Sequence, residues 1–187
     1  MALLALAPLM LLIAFWVRAD SRGPVLFRQD RVGLNGRLFG IYKFRTMRVG
    51  SLGNGPSITV GADLRITRAG TVLRKYKLDE LPQFINVLLG DMSVVGPRPE
   101  VPHYVAMYPP ETRERVLSVR PGITDLASIE FRNESELLGN AADPDDFYVR
   151  VVLPKKLDYC LQYVATRNLL LDLSIIFRTV ATIFARS

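Results

Sequence analysis

A chain of 187 residues has room for one domain with a sizeable core. It is 49% apolar and 22% charged, with 24 lysines and arginines against 18 acids. One cysteine excludes an internal disulfide and one histidine excludes a multi-histidine metal centre, while the positive balance points to an anionic partner such as nucleic acid, phosphorylated substrate or lipid headgroups.

Ala2 to Val17 carries no charge. As a straight helix it would be roughly 24 Å long, short of a hydrocarbon core of about 30 Å. Pro8 lies in its middle and favours a bend. Met1-Ala2-Leu3-Leu4 lacks a basic n-region and Phe15-Trp16-Val17-Arg18 lacks a small-residue cleavage site, which argues against a signal peptide. A buried core helix is the plain alternative. The preferred reading is a re-entrant helix-break-helix hairpin over residues 1–18, with Trp16 and Arg18 at headgroup level, followed by a catalytic domain over 19–187.

Ser21-Arg22-Gly23-Pro24 reads as a turn, and Val25 to Gln29 as a strand. Gly33-Leu34-Asn35-Gly36 turns into a second strand over Leu38 to Met47. Arg48 to Ala62 is a long Gly/Ser/Asn-rich loop. Thr67 to Tyr76 predicts a helix, and a second helix is expected from near Asp79 to Gly90. Pro109-Pro110 opens a short helix, and Arg120-Pro121-Gly122-Ile123-Thr124 is a rigid turn. Ile129 to Arg132 is a strand candidate and Asn133 to Asp146 an acidic loop. Asp145 to Val164 reads as a helix interrupted by Pro154, with Cys160 a core residue.

Thr166 to Arg186 is amphipathic. At about 100° per residue, Arg167, Asn168, Asp172, Ser174, Arg178, Thr179, Thr182 and Arg186 fall within roughly 160° of arc. Leucines, isoleucine, valine and phenylalanines cover the rest. The pattern suits a surface helix packed on the core or an in-plane membrane helix, not a span that would strand Asp172 and Arg178 in hydrocarbon. The expected fold is a small α/β membrane-associated domain with in-plane amphipathic helices.

The chemistry concentrates in Lys77-Leu78-Asp79-Glu80-Leu81-Pro82-Gln83 and Gly96-Pro97-Arg98-Pro99. Asp79 suits an N-cap, and the same position suits an ionised nucleophile or metal ligand facing phosphate. Glu80 adds a second carboxylate for metal or proton transfer, and such hard oxygens suit Mg2+. Arg98, fixed between prolines, can clamp a phosphate, or pair with a carboxylate such as Asp91. Lys43, Arg45, Arg74 and Arg132 are further candidates for a basic substrate site. His103 is a weak candidate general base.

These residues carry a resemblance. The chain resembles bacterial sugar transferases of the monotopic polyprenyl-phosphate phosphoglycosyl transferase family in Gly23-Pro24-Val25-Leu26-Phe27, Gln29 to Gly33, Phe39 to Met47, Leu73 to Gln83, Asn86 to Pro99 and Arg120-Pro121-Gly122-Ile123-Thr124. The resemblance implies transfer of a sugar 1-phosphate from a UDP-sugar to undecaprenyl phosphate, with UMP released. It places the nucleophile at Asp79, with a covalent phosphosugar intermediate and magnesium near the dyad. Glu80, Arg74 and Arg98 match active-site positions, and Arg132 falls at a family arginine. Where many members have Gly-Trp-Ala-Gln, this chain has Asp125-Leu126-Ala127-Ser128. The expectation is therefore an enzyme at the cytoplasmic face of a bacterial inner membrane, acting in a surface-glycan pathway. Its partners would be a UDP-sugar, undecaprenyl phosphate and inner-membrane lipids, and a homodimer is compatible. A non-catalytic membrane scaffold is the rival class. Nucleic acid is not an expected partner, since no zinc-finger, KH or RRM signature accompanies the charge.

Overall fold

The computed structural model describes residues 2–50 and 63–185. Helix α1 (Ala2–Asp20) is continuous through Pro8, so the expected break is not present. A single proline forfeits one backbone bond, and the surrounding leucines and alanines are strong helix formers. At 19 residues α1 is about 28 Å long. Its segment Leu3–Asp20 is long and apolar enough to cross a membrane by length and composition, more than the charge-free run alone suggested. Its second half is docked. Met10, Ile13, Ala14 and Val17, one helical face, pack with Phe44, Leu73, Leu78 and Leu81.

Strands β1 (Leu26–Val32) and β2 (Leu38–Phe44) form the expected antiparallel hairpin, pairing Leu26 with Phe44 and Val32 with Leu38. Most of the loop expected from Arg48 to Ala62 lies outside the described residues. Helix α2 (Arg68–Lys75) starts at Thr67, whose hydroxyl accepts from Gly70 N. Helix α3 (Gln83–Leu89) ends at Gly90, with φ 83°. Asn86 ties α3 to the hairpin: its amide donates to Gly40 O at 2.9 Å and accepts from Tyr42 N at 3.0 Å.

Two three-residue strands, β3 (Ser93–Val95) and β4 (Gly122–Thr124), pair in parallel. The rigid turn expected at 120–124 thus contains a strand. Gly96 and Gly122 face each other so closely that a Cβ on Gly122 would lie 2.1 Å from Gly96 N. That approach holds the Gly-Pro-Arg-Pro turn against β4. Between them lie α4 (Pro102–Val105) and α5 (Pro110–Leu117).

The strand candidate at 129–132 is overturned: its first two residues end α6 (Leu126–Glu130), started by Asp125 capping Ser128 N, and the rest lie in a turn. The acidic segment folds into α7 (Glu134–Gly139) and α8 (Pro144–Phe147), anchored by the fully buried Leu138. A π-helical turn, Tyr148–Val152, separates α8 from α9 (Leu153–Thr166), as Pro154 foreshadowed. Cys160 is buried in the core beside Tyr104, Tyr148 and Leu157. Beneath the Pro99 turn, Glu100 accepts from Tyr148 Oη at 2.6 Å and Lys156 Nζ at 3.4 Å, and Lys156 also pairs with Glu134 at 2.9 Å.

Helix α10 (Leu169–Phe184) packs its Ile175 with Val95 and Tyr163. Asp172 accepts from Tyr163 Oη and Thr179 bonds Thr124, so part of the polar arc faces inward. Leu169, Leu170, Leu173, Phe177 and Val180 are exposed.

Candidate active site

The site forms where β2, the connection from α2 to α3, and the turn after β3 converge. Lys77 takes a left-handed φ of 55°. That conformation is uncommon for a lysine and ends the helical run, leaving a single 3₁₀ turn at Leu78–Glu80. Asp79 is therefore not the N-cap expected: α3 begins four residues later, with no side-chain cap. Leu78 and Leu81 pack on the cluster around α1, which fixes the turn. Asp79 and Glu80 are left buried, 7% and 8% exposed.

The two carboxylates have different surroundings. Both Glu80 oxygens accept from Arg98, Oε2 from Nη1 at 3.2 Å and Oε1 from Nη2. Lys43 Nζ adds a contact of 2.9 Å to Oε1. Burial alone would raise the Glu80 carboxyl, but Arg98, Lys43 and Lys77 outweigh it and hold it well below the usual range. Asp79 Oδ1 is buried without a hydrogen-bond partner. Burial, then the adjacent Glu80 charge, pushes Asp79 up, against the pull of Lys43, Lys77 and Arg74. One carboxylate thus organises cations while its neighbour keeps an uncommitted oxygen. An uncompensated buried acceptor of this kind costs stability and is characteristic of sites built for a ligand or reaction.

Arg98 is held from several sides. Its backbone N donates to Asp125 Oδ2 at 3.2 Å and its Nη1 to Ile123 O at 3.3 Å. Asp91, an alternative partner from sequence, instead accepts from Asn86 at 3.3 Å. Arg74 Nε donates to Thr46 Oγ1 at 2.8 Å, and its charge acts on Asp79. Arg132 borders a cavity of about 260 Å³ that Glu80 and Arg98 also line. Arg45 goes elsewhere. Its Nη2 donates to Val17 O, Ser21 O and Ser21 Oγ, closing the C-terminal end of α1. These bonds give Arg45 a capping role, since the carbonyls of a helix end need donors. His103 is exposed on α4, against the ring of Tyr104.

Sequence reasoning missed three contributors. Asp125 joins the α6 cap to the Arg98 backbone. Asn86 registers α3 on the hairpin. Gln83, 1% exposed, keeps its side-chain nitrogen without an acceptor four residues after Asp79. The signal for Gln83 was its place in the Asp-Glu-Leu-Pro-Gln run.

A divalent metal can be judged from the donors. Asp79 Oδ1 is a hard, uncommitted oxygen, and Mg2+ commonly takes one or two carboxylates plus waters and phosphate oxygens. Glu80, also expected as a ligand, has both oxygens engaged by Arg98. Among the described residues no group of three or more His, Cys, Asp and Glu side chains surrounds a metal position. Asp79 fits magnesium as a single protein ligand.

Residues 1–186 match the bacterial sugar transferase family. The chain is 41% identical over 179 residues to a UDP-N-acetylgalactosamine-undecaprenyl-phosphate N-acetylgalactosaminephosphotransferase of Aeromonas hydrophila, covering 95% of this chain and 39% of that protein. It is 42% identical to an undecaprenyl-phosphate glucose phosphotransferase of Komagataeibacter xylinus, covering 99% of this chain and 34% of that protein. It is 40% identical to an exopolysaccharide production protein, PSS, of Rhizobium leguminosarum, covering 99% of this chain and 90% of that protein. The chain thus spans little more than a third of the first two relatives and most of the third. A match along nearly its whole length, through the hairpin, the dyad turn and α10, makes this chain a member of the bacterial sugar transferase family.

Proposed function

We propose that this protein transfers a sugar 1-phosphate from a UDP-sugar to undecaprenyl phosphate, the reaction that the name of a Klebsiella pneumoniae relative, UDP-glucose:undecaprenyl-phosphate glucose-1-phosphate transferase, describes for that protein. The observation that carries the reading is Asp79: a buried carboxylate with a free oxygen, beside a second carboxylate that positions an arginine and a lysine. Asp79 attacks the phosphorus that bears the sugar. An Asp79 O–P bond forms, the P–O bond to UMP breaks, and UMP leaves. A phosphate oxygen of the lipid then attacks the same phosphorus, the Asp79 O–P bond breaks, and the carboxylate is regenerated. The product is the lipid diphosphate-sugar.

Glu80 holds Arg98 and Lys43 on either side of its carboxylate, beside the phosphorus under attack. Their charge stabilises the phosphoryl oxygens, with Arg74 on the side of Asp79. Burial excludes water that would hydrolyse the acyl phosphate. Magnesium, held by Asp79, would neutralise charge on the diphosphate and leaving group.

The acceptor lipid calls for a membrane surface. Core contacts of α1 recruit residues only from Met10 onward. The eight residues before it span about 12 Å, less than half a hydrocarbon core of about 30 Å. We therefore favour insertion into one leaflet, with the exposed apolar face of α10 lying in the same interface and the site facing the cytoplasm, where nucleotide sugars are made. The test is a panel of UDP-sugars with undecaprenyl phosphate and Mg2+, read as UMP release, with intact-mass analysis of protein incubated without lipid. The expected result is UMP release with one donor and a sugar-phosphate adduct mapping to Asp79. No UMP release with any donor overturns the reading.

A further inference from the structure

The cavity beside the dyad has a composition of its own. Its apolar walls include Leu81, Phe84, Ile123, Ile129, Val180 and Ile183. Its volume of about 260 Å³ lies just below the range of roughly 300–1,000 Å³ that accommodates a drug-sized ligand. A whole nucleotide sugar does not fit, but one moiety does.

Most of its hydroxyls are already committed. Thr179 bonds Thr124 at 2.7 Å and donates to Ile175 O, and Thr182 donates to Arg178 O. They offer the cavity mainly methyl groups. Ser128 Oγ alone of the lining hydroxyls is buried without a partner. A nucleobase and ribose would find few hydrogen-bond partners here, and an alkenyl chain needs none.

The lining joins two kinds of surface. Glu80, Arg98, Lys75, Lys77 and Arg132 put charge on the wall. Val180 belongs both to the wall and to the exposed apolar face of α10, where it is 47% exposed. Apolar surface therefore continues from the outside of α10 into a cavity that also carries cations. Asp79, Arg74 and Lys43 are not among the walls.

From this continuity, and resting on the function proposed above, we propose that the cavity between α10, α6 and α3 is the acceptor subsite, receiving the isoprene units next to the phosphate of the prenyl phosphate. The phosphate lies against Arg98, Lys77 and Arg132, and the chain leaves over Val180 along Phe177 and Leu173. The nucleotide sugar approaches from the side of Arg74 and Lys43. Helix α10 is thus a specificity wall as well as a surface helix.

Ile183→Trp fills the cavity. The variant should form the Asp79 adduct from UDP-sugar alone at the wild-type rate, and transfer that phosphosugar to prenyl phosphate about tenfold or more slowly. Its KM for lipid should rise while that for UDP-sugar stays constant. Equal slowing of both half-reactions, or of neither, overturns the proposal. A second measurement depends neither on the variant's folding nor on turnover. Wild-type protein is photolabelled with a diazirine-bearing farnesyl phosphate, with and without excess UMP. Label on the peptides covering 123–132 and 176–184, undiminished by UMP, is the expected result. Label confined to other peptides, or displaced by UMP, overturns it. Failure of the function proposed above reads differently: no donor gives adduct or UMP, while the photolabelling still reports on the cavity.

Discussion

Arg98→Met separates the cation from the carboxylate it serves. Glu80, with a side chain 9% exposed, would keep Lys43 as its direct ion-pair partner and lose two hydrogen bonds from the guanidinium. Removing one member of a fully buried pair costs about 3–5 kcal/mol. Arg98 is 26% exposed and Lys43 remains, so the expected loss is about 2–3 kcal/mol. For a chain of this size that is a fall of roughly 4–12 °C in midpoint. The loss should also depend on pH. In the wild type the folded Glu80 carboxyl lies well below its ordinary value of 4.5, so its stabilisation is present above that value and fades as pH falls through the folded one. In the variant burial dominates and the carboxyl rises, so the gap between the proteins is widest near neutrality and narrows in acid. Thermal unfolding in detergent with EDTA, from pH 4 to 8, measures both effects. A loss below about 0.5 kcal/mol, or one independent of pH, would refute the assignment of Arg98 as the group that keeps Glu80 ionised.

Asp79→Asn should abolish UMP release while leaving the midpoint equal or higher at pH 7. Asp79 has a raised carboxyl, so its ionised form costs stability above that raised value, and the gain should vanish below the unfolded value near 3.8; a lowered midpoint at neutral pH contradicts this. Glu80→Gln removes a charge that raises Asp79, and should move the acid limb of adduct formation to lower pH in single-turnover assays; an unmoved limb counts against the coupling. Lys156→Met leaves Glu100 with Arg31 and Tyr148, should cost about 3 kcal/mol, and should bring acid unfolding to higher pH, because Lys156 is the largest of the charges that hold Glu100 down. Arg45→Met should lower stability by about 1–3 kcal/mol without changing KM for the UDP-sugar; a raised KM would restore Arg45 to the substrate site. On a Cys160→Ser background, a cysteine at Ser21 should stay shielded from an impermeant thiol reagent until the inner membrane is opened, and one at Leu4 should stay shielded even then; labelling of position 4 in intact cells indicates a span.

The hairpin was legible because a strand pair leaves alternation and a glycine turn in the sequence, and α2 because threonine marks its start. The dyad turn was not, because the left-handed Lys77 has no sequence signature, and without it Asp79 looks like a cap. Strands of three residues carry too little periodicity to separate β4 from a turn, and Ile129 to Arg132 looked strand-like until Asp125 was seen to cap a helix. The amphipathy of α10 was plain, whereas which face docks depends on partners such as Tyr163 and Thr124, distant in sequence. Arg98 stood out between its prolines, and the resemblance marked Arg74 as well, whereas Lys43 and Arg45 looked alike as cations. Only the fold puts Lys43 on Glu80 and sends Arg45 to α1.

That placement of Arg45 has a mechanical consequence. Arg45 grips the end of α1, Asp20 at that same end accepts from Ala69 N at 3.0 Å, and Val17 packs with Leu73, Leu78 and Leu81. Helix α1 and the turn bearing Asp79 therefore move as one lever. On the function proposed above, the depth and tilt of α1 in lipid would set the height of Asp79 above the headgroups. An unrelated apolar helix grafted in its place would then carry the domain to a membrane with the carboxylate at the wrong height, and lipid thickness would become a variable of the reaction itself.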